Sequence, residues 1–94
     1  MMSEALKKKT ADRLRRIEGQ IAGIRRMIDE DRYCVDVLTQ TTAAVSALRG
    51  VEDLVMQNHL NTCVVDAIRS QDEDRQQEKI DEVMAVIGKF RRHG

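Results

Sequence analysis

The chain has 94 residues, of which 41% are hydrophobic, with one Phe, one Tyr, no Trp and no Pro. A single small domain spanning 1–94 is therefore expected, with an aliphatic core too small to hide all of its apolar surface without oligomerisation. Sixteen Lys or Arg balance sixteen Asp or Glu, a zero total that argues against indiscriminate polyanion binding and still permits a local basic patch.

In chain order, Leu14, Ile17, Ile21, Ile24 and Ile28 follow a 3-4-3-4 spacing. That pattern predicts an amphipathic helix over about 4–30. Ser3 stands before it as a cap, and Asp29 to Arg32 form a polar turn. A second stripe runs through Leu38, Thr41, Val45, Leu48, Val55, His59 and Thr62, broadened by Val37, Ala44 and Val51. It predicts a helix over about 33–68. Gly50 is its only breaker, and a lone Gly costs roughly 1 kcal/mol against Ala without ending a helix. An unbroken helix is expected, with a hairpin at Gly50 as the rival. Arg69 to Arg75 reads as a loop by polarity. Ile80, Val83, Met84 and Ile87 then mark a third helix over about 76–90, before Arg91, Arg92, His93 and Gly94. No strand pattern or repeat occurs, so the fold class is all-α, built from a three-helix subunit.

Cys34, His59 and Cys63 together make a soft-metal ligand set. His59 and Cys63 are four apart, one turn above each other on the same helix face. Desolvating a thiol and an imidazole together costs several kcal/mol unless something compensates, and a metal does so directly. Cys34 lies 29 residues before Cys63. If one helix joins them, they are ~43 Å apart along its axis. One chain then cannot close the site, whereas an antiparallel second chain can, so the pattern argues for a dimer. Two thiolates and an imidazole without a carboxylate favour Cu(I) or Zn(II). Three ligands tilt the choice to Cu(I), since a closed structural zinc site wants a fourth. The bland alternative is a small buried Cys and an ordinary core His.

Residues 1–32 carry nine Lys or Arg against six Asp or Glu, whereas 33–68 carry five charges in all. Lys8, Lys9, Arg15, Arg16 and Arg26 project away from the Leu14–Ile28 stripe, with Arg13 at its edge. Such clustering, repeated in an oligomer, makes a phosphate-binding face, although charged outer faces are also ordinary for helices. No Gly-rich phosphate loop and no Ser-His-Asp arrangement is present, so an enzyme is not expected. No apolar run reaches the ~18–20 residues of a membrane span. No signal peptide precedes the charged start, so a cytoplasmic location is expected. In that reducing compartment the two cysteines read as thiols, ligands or redox groups.

The run from Asp12 to Ile24, then Arg26-Met27-Ile28, Tyr33-Cys34-Val35-Asp36-Val37-Leu38, and Asn58-His59-Leu60 with Thr62-Cys63, closely resembles the copper-sensing operon repressor (CsoR) family. The resemblance covers residues 5–90. It implies an antiparallel four-helix core in a dimer, assembled as a dimer of dimers. It also implies operator DNA bound without metal and released on Cu(I), one ion per subunit at the interface, held by Cys34 of one subunit and His59 and Cys63 of its neighbour. Tyr33 and Glu82 take the positions of the family's outer hydrogen-bonding pair. Arg13 matches a DNA-contact arginine, with Lys8, Lys9 and Arg16 as companions. A mid-helix basic position that some copper sensors use falls on Gly50, with Arg49 adjacent.

Sibling branches fit less well. Nickel/cobalt sensors carry an N-terminal His where Met2 aligns and His where Cys63 stands; formaldehyde sensors lack Cys63, and the persulfide branch lacks His59. A copper-responsive repressor is the reading that results. A thiol-based persulfide or oxidant sensor of the same fold and a cytosolic copper buffer without a DNA role are the alternatives.

Overall fold

A computed structural model describes residues 2–91. It holds three helices, α1 (Glu4–Asp29), α2 (Cys34–Arg69) and α3 (Glu73–Arg91). The all-α class stands, and the limits expected for the first two helices differ from those observed by one residue. Met1 and the Arg92–Gly94 end of the expected domain lie outside the described residues. Packing divides the chain into two compact units, one of residues 2–55 and one from Met56 onward.

In the first unit, Ser3 caps α1: its side chain accepts from the Leu6 N–H at 3.1 Å. The helix ends in a Schellman arrangement. The Arg32 N–H reaches the Met27 carbonyl and the Asp31 N–H that of Ile28, at 2.9 and 3.1 Å. Asp31 takes the left-handed conformation, φ 54°, which the motif demands and which Gly more often supplies. The polar turn read from the sequence is therefore a hydrogen-bonded helix stop.

The apolar pattern divides more finely than its spacing suggests. Ile17 and Ala44 are the buried apolar residues of this unit, and Val37 and Val51 flank Ala44 at intermediate depth. Thus the row Val37–Ala44–Val51, which the sequence offered as a mere broadening, is the sheltered face of α2. The main stripes lie open instead. Leu14, Ile21 and Ile28 on α1, with Leu38, Val45, Leu48 and Val55 on α2, remain between 38% and 63% exposed. A helix apolar on more than one face belongs inside something larger than a hairpin. Gly50 is helical and α2 passes through it unbroken, so the rival hairpin does not form.

In the unit from Met56 onward, α3 begins at Glu73 rather than near residue 76. The polar run that reads as loop contains its own helix start. Asp72 accepts the Asp74 N–H through Oδ1 at 3.0 Å, and its carbonyl takes the first helical bond from the Gln76 N–H at 3.0 Å. Glu73 and Asp74 then place negative charge on the positive end of the helix dipole. Gln76 donates back to the Ser70 carbonyl at 2.7 Å, closing the short connection. Asp72→Ala is expected to cost about 1 kcal/mol, the ordinary loss of an N-cap, while Asp72→Ser stays close to the parent. Thermal unfolding of the two variants checks this.

Candidate metal centre

On the last stretch of α2, His59, Cys63 and Asp66 follow i, i+4, i+7 spacing, so they share one face. On α3, Lys79 and Glu82 are three apart and also share a face. The two faces meet in a polar cluster around a buried sulfur. The Cys63 Sγ lies 3.5 Å from His59 Nε2, and the same nitrogen lies 3.1 Å from Glu82 Oε1. The other carboxylate oxygen, Oε2, is 3.5 Å from Lys79 Nζ, which also reaches Asp66 Oδ2 at 4.0 Å. The His59, Cys63 and Glu82 donor atoms all lie within 4.8 Å of one another.

Burial separates the roles of these groups. Cys63 is only 2% exposed, whereas the His59 and Glu82 side chains are 45% and 41% exposed. Desolvation pushes the Cys63 thiol above its ordinary value. The Glu82 charge adds to the rise, and Lys79 opposes it. Glu82 moves the other way: Lys79 beside it holds its carboxyl below the usual range, against a smaller desolvation effect. The metal-free centre is therefore a neutral thiol and an ionised carboxylate. With Glu82 ionised, the His59 Nε2–H is placed to donate to Oε1, which fixes the ring's orientation.

Glu82 and the His59–Cys63 pair thus come together in one cluster. Cys34 is not part of it. It is exposed, in the first turn of α2 within the unit of residues 2–55, on an open groove with Ile28, Val37 and Leu38. Tyr33 precedes it, 68% exposed, its carbonyl accepting the first bonds of α2 from the Asp36 and Val37 N–H groups. Lys79 and Asp66 escaped the sequence reading. Their only signal was spacing, Asp66 one turn beyond Cys63 and Lys79 one turn before Glu82.

The basic residues lie in the first unit. Lys8, Lys9, Arg16 and Arg49 are exposed and Arg13 is half-buried. Arg13 and Arg16 line an open groove of about 540 Å³ with Ile17, Gln20, Ser46, Ala47 and Gly50. A Cβ at Gly50 would stand 3.5 Å from Arg13 Nη1, an ordinary contact, so the guanidinium lies directly against α2 at this point. Arg15, by contrast, is engaged with Asp12 at 3.0 Å.

A buried thiol and an imidazole on one helix face are a metal-ligating pair in an all-helical protein. The family described as metal-sensitive transcriptional repressor matches residues 6–89, and the chain belongs to it. The copper-sensing transcriptional repressor CsoR of Bacillus subtilis is 42% identical over 84 residues, 89% of this chain and 80% of that protein. The copper-sensing transcriptional repressor RicR of Mycobacterium tuberculosis is 57% identical over 58 residues, 62% of this chain. The match spans 60% of the RicR length. Among solved structures, the copper-sensing repressor CsoR with Cu(I) from Geobacillus thermodenitrificans superimposes with a TM-score of 0.78 at 37% identity. It covers 96% of this chain and 91% of that one. Among the described residues no helix is long and apolar enough to cross a membrane.

Because the Cys63 thiol is pushed up, any metal bound there must first displace its proton. Below the thiol's pKa, apparent affinity for a thiolate-bound ion is expected to rise with pH, by ~tenfold per unit for each displaced proton. Competition titrations between pH 6 and 8 read this slope, and a flat profile excludes Cys63 as a ligand.

Proposed function

We propose that the chain is a copper-responsive transcriptional repressor that holds operator DNA when metal-free and lets it go on taking up Cu(I). The observation that carries this reading is the His59–Cys63 pair on a helix that continues unbroken to Cys34. That continuity keeps the second sulfur away from the pair within one chain. Cys34 of one subunit and His59 with Cys63 of its partner then hold one ion per subunit. Two thiolates and an imidazole suit three-coordinate Cu(I), and the similarity to a CsoR solved with Cu(I) supports the choice.

The open stripes support the assembly this requires. Leu14, Ile21 and Ile28 recur every seven residues on α1, and Leu38 and Val45 do so on α2, all exposed. Covered by the same stripes of a second copy, they form the core of an antiparallel four-helix-bundle dimer, and two such dimers form the tetramer. Lys8, Lys9, Arg13, Arg16 and Arg49 then face operator phosphates. None of the five forms a salt bridge among the described residues, which leaves them available for phosphate.

Release needs only that the metal-bound conformation bind DNA less well than the metal-free one, by ~1–3 kcal/mol of coupling. Glu82, hydrogen-bonded to His59, and Tyr33, next to Cys34, would pass the change from the ligands into α3 and the start of α2.

With a labelled operator fragment, fluorescence anisotropy should show Cu(I) weakening binding ~5–150-fold. His59→Ala should bind DNA as the parent does and ignore copper. A variant that still dissociates on adding copper overturns the relay. Arg13→Ala should weaken operator binding at every sequence tested and lower the salt slope by ~1. Sedimentation of the metal-free protein should give a dimer or tetramer, and a monomer at micromolar concentration refutes the shared site.

A further inference from the structure

The geometry points to a second metal-binding mode contained within one subunit, in which His59, Cys63 and Glu82 hold a borderline divalent cation such as Zn(II) or Co(II) without Cys34. It takes His59 and Cys63 as ligands, as the copper reading does, and calls on neither the other sulfur nor a partner.

The argument is one of edges. A tetrahedral ion with Zn–S of ~2.3 Å, Zn–N of ~2.05 Å and Zn–O of ~2.1 Å separates its donors by ~3.6 Å for sulfur–nitrogen and ~3.4 Å for nitrogen–oxygen. The corresponding separations here are 3.5 Å from Cys63 Sγ to His59 Nε2 and 3.1 Å from the same nitrogen to Glu82 Oε1. Every edge of the triangle is within 4.8 Å. Two edges thus stand close to those of a tetrahedron's face before any ion arrives, and the third, from sulfur to carboxylate oxygen, is no longer than 4.8 Å. A water can complete the fourth position, as in open zinc sites.

The donor types choose the ion. One thiolate, one imidazole and one carboxylate are a borderline set; the carboxylate is a poor ligand for Cu(I) and a good one for Zn(II). Lys79 refines the arrangement. It holds Glu82 Oε2 at 3.5 Å, leaving Oε1 on the His59 side as a single-oxygen ligand. On binding, the Cys63 proton leaves to solvent. The neutral His59 ring loses no net proton: it binds through Nε2 as the tautomer whose single hydrogen is on Nδ1, the hydrogen moving from one nitrogen to the other by exchange with solvent. Copper and zinc therefore use the same helix turn and differ in their third protein ligand, Cys34 of the partner or Glu82 of the same chain. An ion held by Glu82 does not tie two subunits together.

The test is an anaerobic titration of the full chain with Co(II), whose thiolate charge-transfer and ligand-field bands report sulfur ligation and tetrahedral geometry. Parent protein and Cys34→Ala should give the same bands at affinities within about twofold. Cys63→Ala should lose the charge-transfer band. Glu82→Gln should weaken binding by more than ~tenfold, the least that even an outer hydrogen-bonding partner costs. X-ray absorption of the Zn(II)-loaded parent should find one sulfur per zinc, a measurement that needs no variant to fold. Two sulfurs per zinc, loss of the cobalt bands in Cys34→Ala, or an unaltered cobalt affinity in a folded Glu82→Gln would each overturn the inference. Cu(I) titrations of the same proteins keep the copper reading separate: that reading requires two sulfurs per Cu(I) and fails if Cys34→Ala binds Cu(I) as tightly as the parent.

Discussion

A sulfur taken out of water next to an imidazole is the constraint around which the rest of the molecule is arranged. Cys63 is buried at 2% exposure on a helix face that also carries His59 and Asp66. A thiol alone can be buried as a small hydrophobe, but the imbalance here is that its neighbours are polar. Glu82 comes from α3 to meet His59, and Lys79 comes with it to offset the carboxylate. Lys79 brings one positive charge against the two carboxylates, Glu82 and Asp66, that it contacts, which offsets part of their negative charge without an ion. The thiol is kept protonated by burial and by Glu82, which makes every thiolate-binding ion compete with a proton.

The second consequence concerns how little the subunit buries. Among the described residues the buried set is Thr10, Ile17, Ala44 and Cys63. Thr10 is there at no polar cost, since its hydroxyl donates to the Leu6 and Lys7 carbonyls at 2.9 and 3.0 Å. Apart from Ile17, no large aliphatic side chain among the described residues is buried, and many are exposed. An α2 that is apolar on two faces makes sense when one face meets α1 and the other meets a second copy. The proposed shared copper site and the proposed four-helix core then follow from the same property of one helix: it is long, continuous and apolar on two faces.

The basic groove reflects a similar division within the first unit. Arg13, an edge residue of α1 by its spacing, reaches across to α2, where its guanidinium lies against the backbone at Gly50. Gln20 Oε1, buried there without a partner, adds an acceptor to the same wall. Residues of both helices line the groove, and neither helix carries it alone.

Periodicity was enough to mark the three helices, and residue type marked the Ser3 cap and the polar turn at Asp29 to Arg32, because each depends on contacts a few residues apart. The pairing of His59 with Cys63 was legible for the same reason: four residues is one helical turn. The start of α3 was misplaced because Asp72, Glu73 and Asp74 look like loop by polarity, while their effect on a helix comes from capping and dipole. Tertiary structure decided what no spacing along one helix can express. It chose Val37, Ala44 and Val51 over the richer stripe as the sheltered face, since burial depends on where α1 lies. It also brought Lys79 and Glu82 from α3 to the sulfur on α2, since ionic and hydrogen-bonding partners distant in sequence meet only when two helices pack.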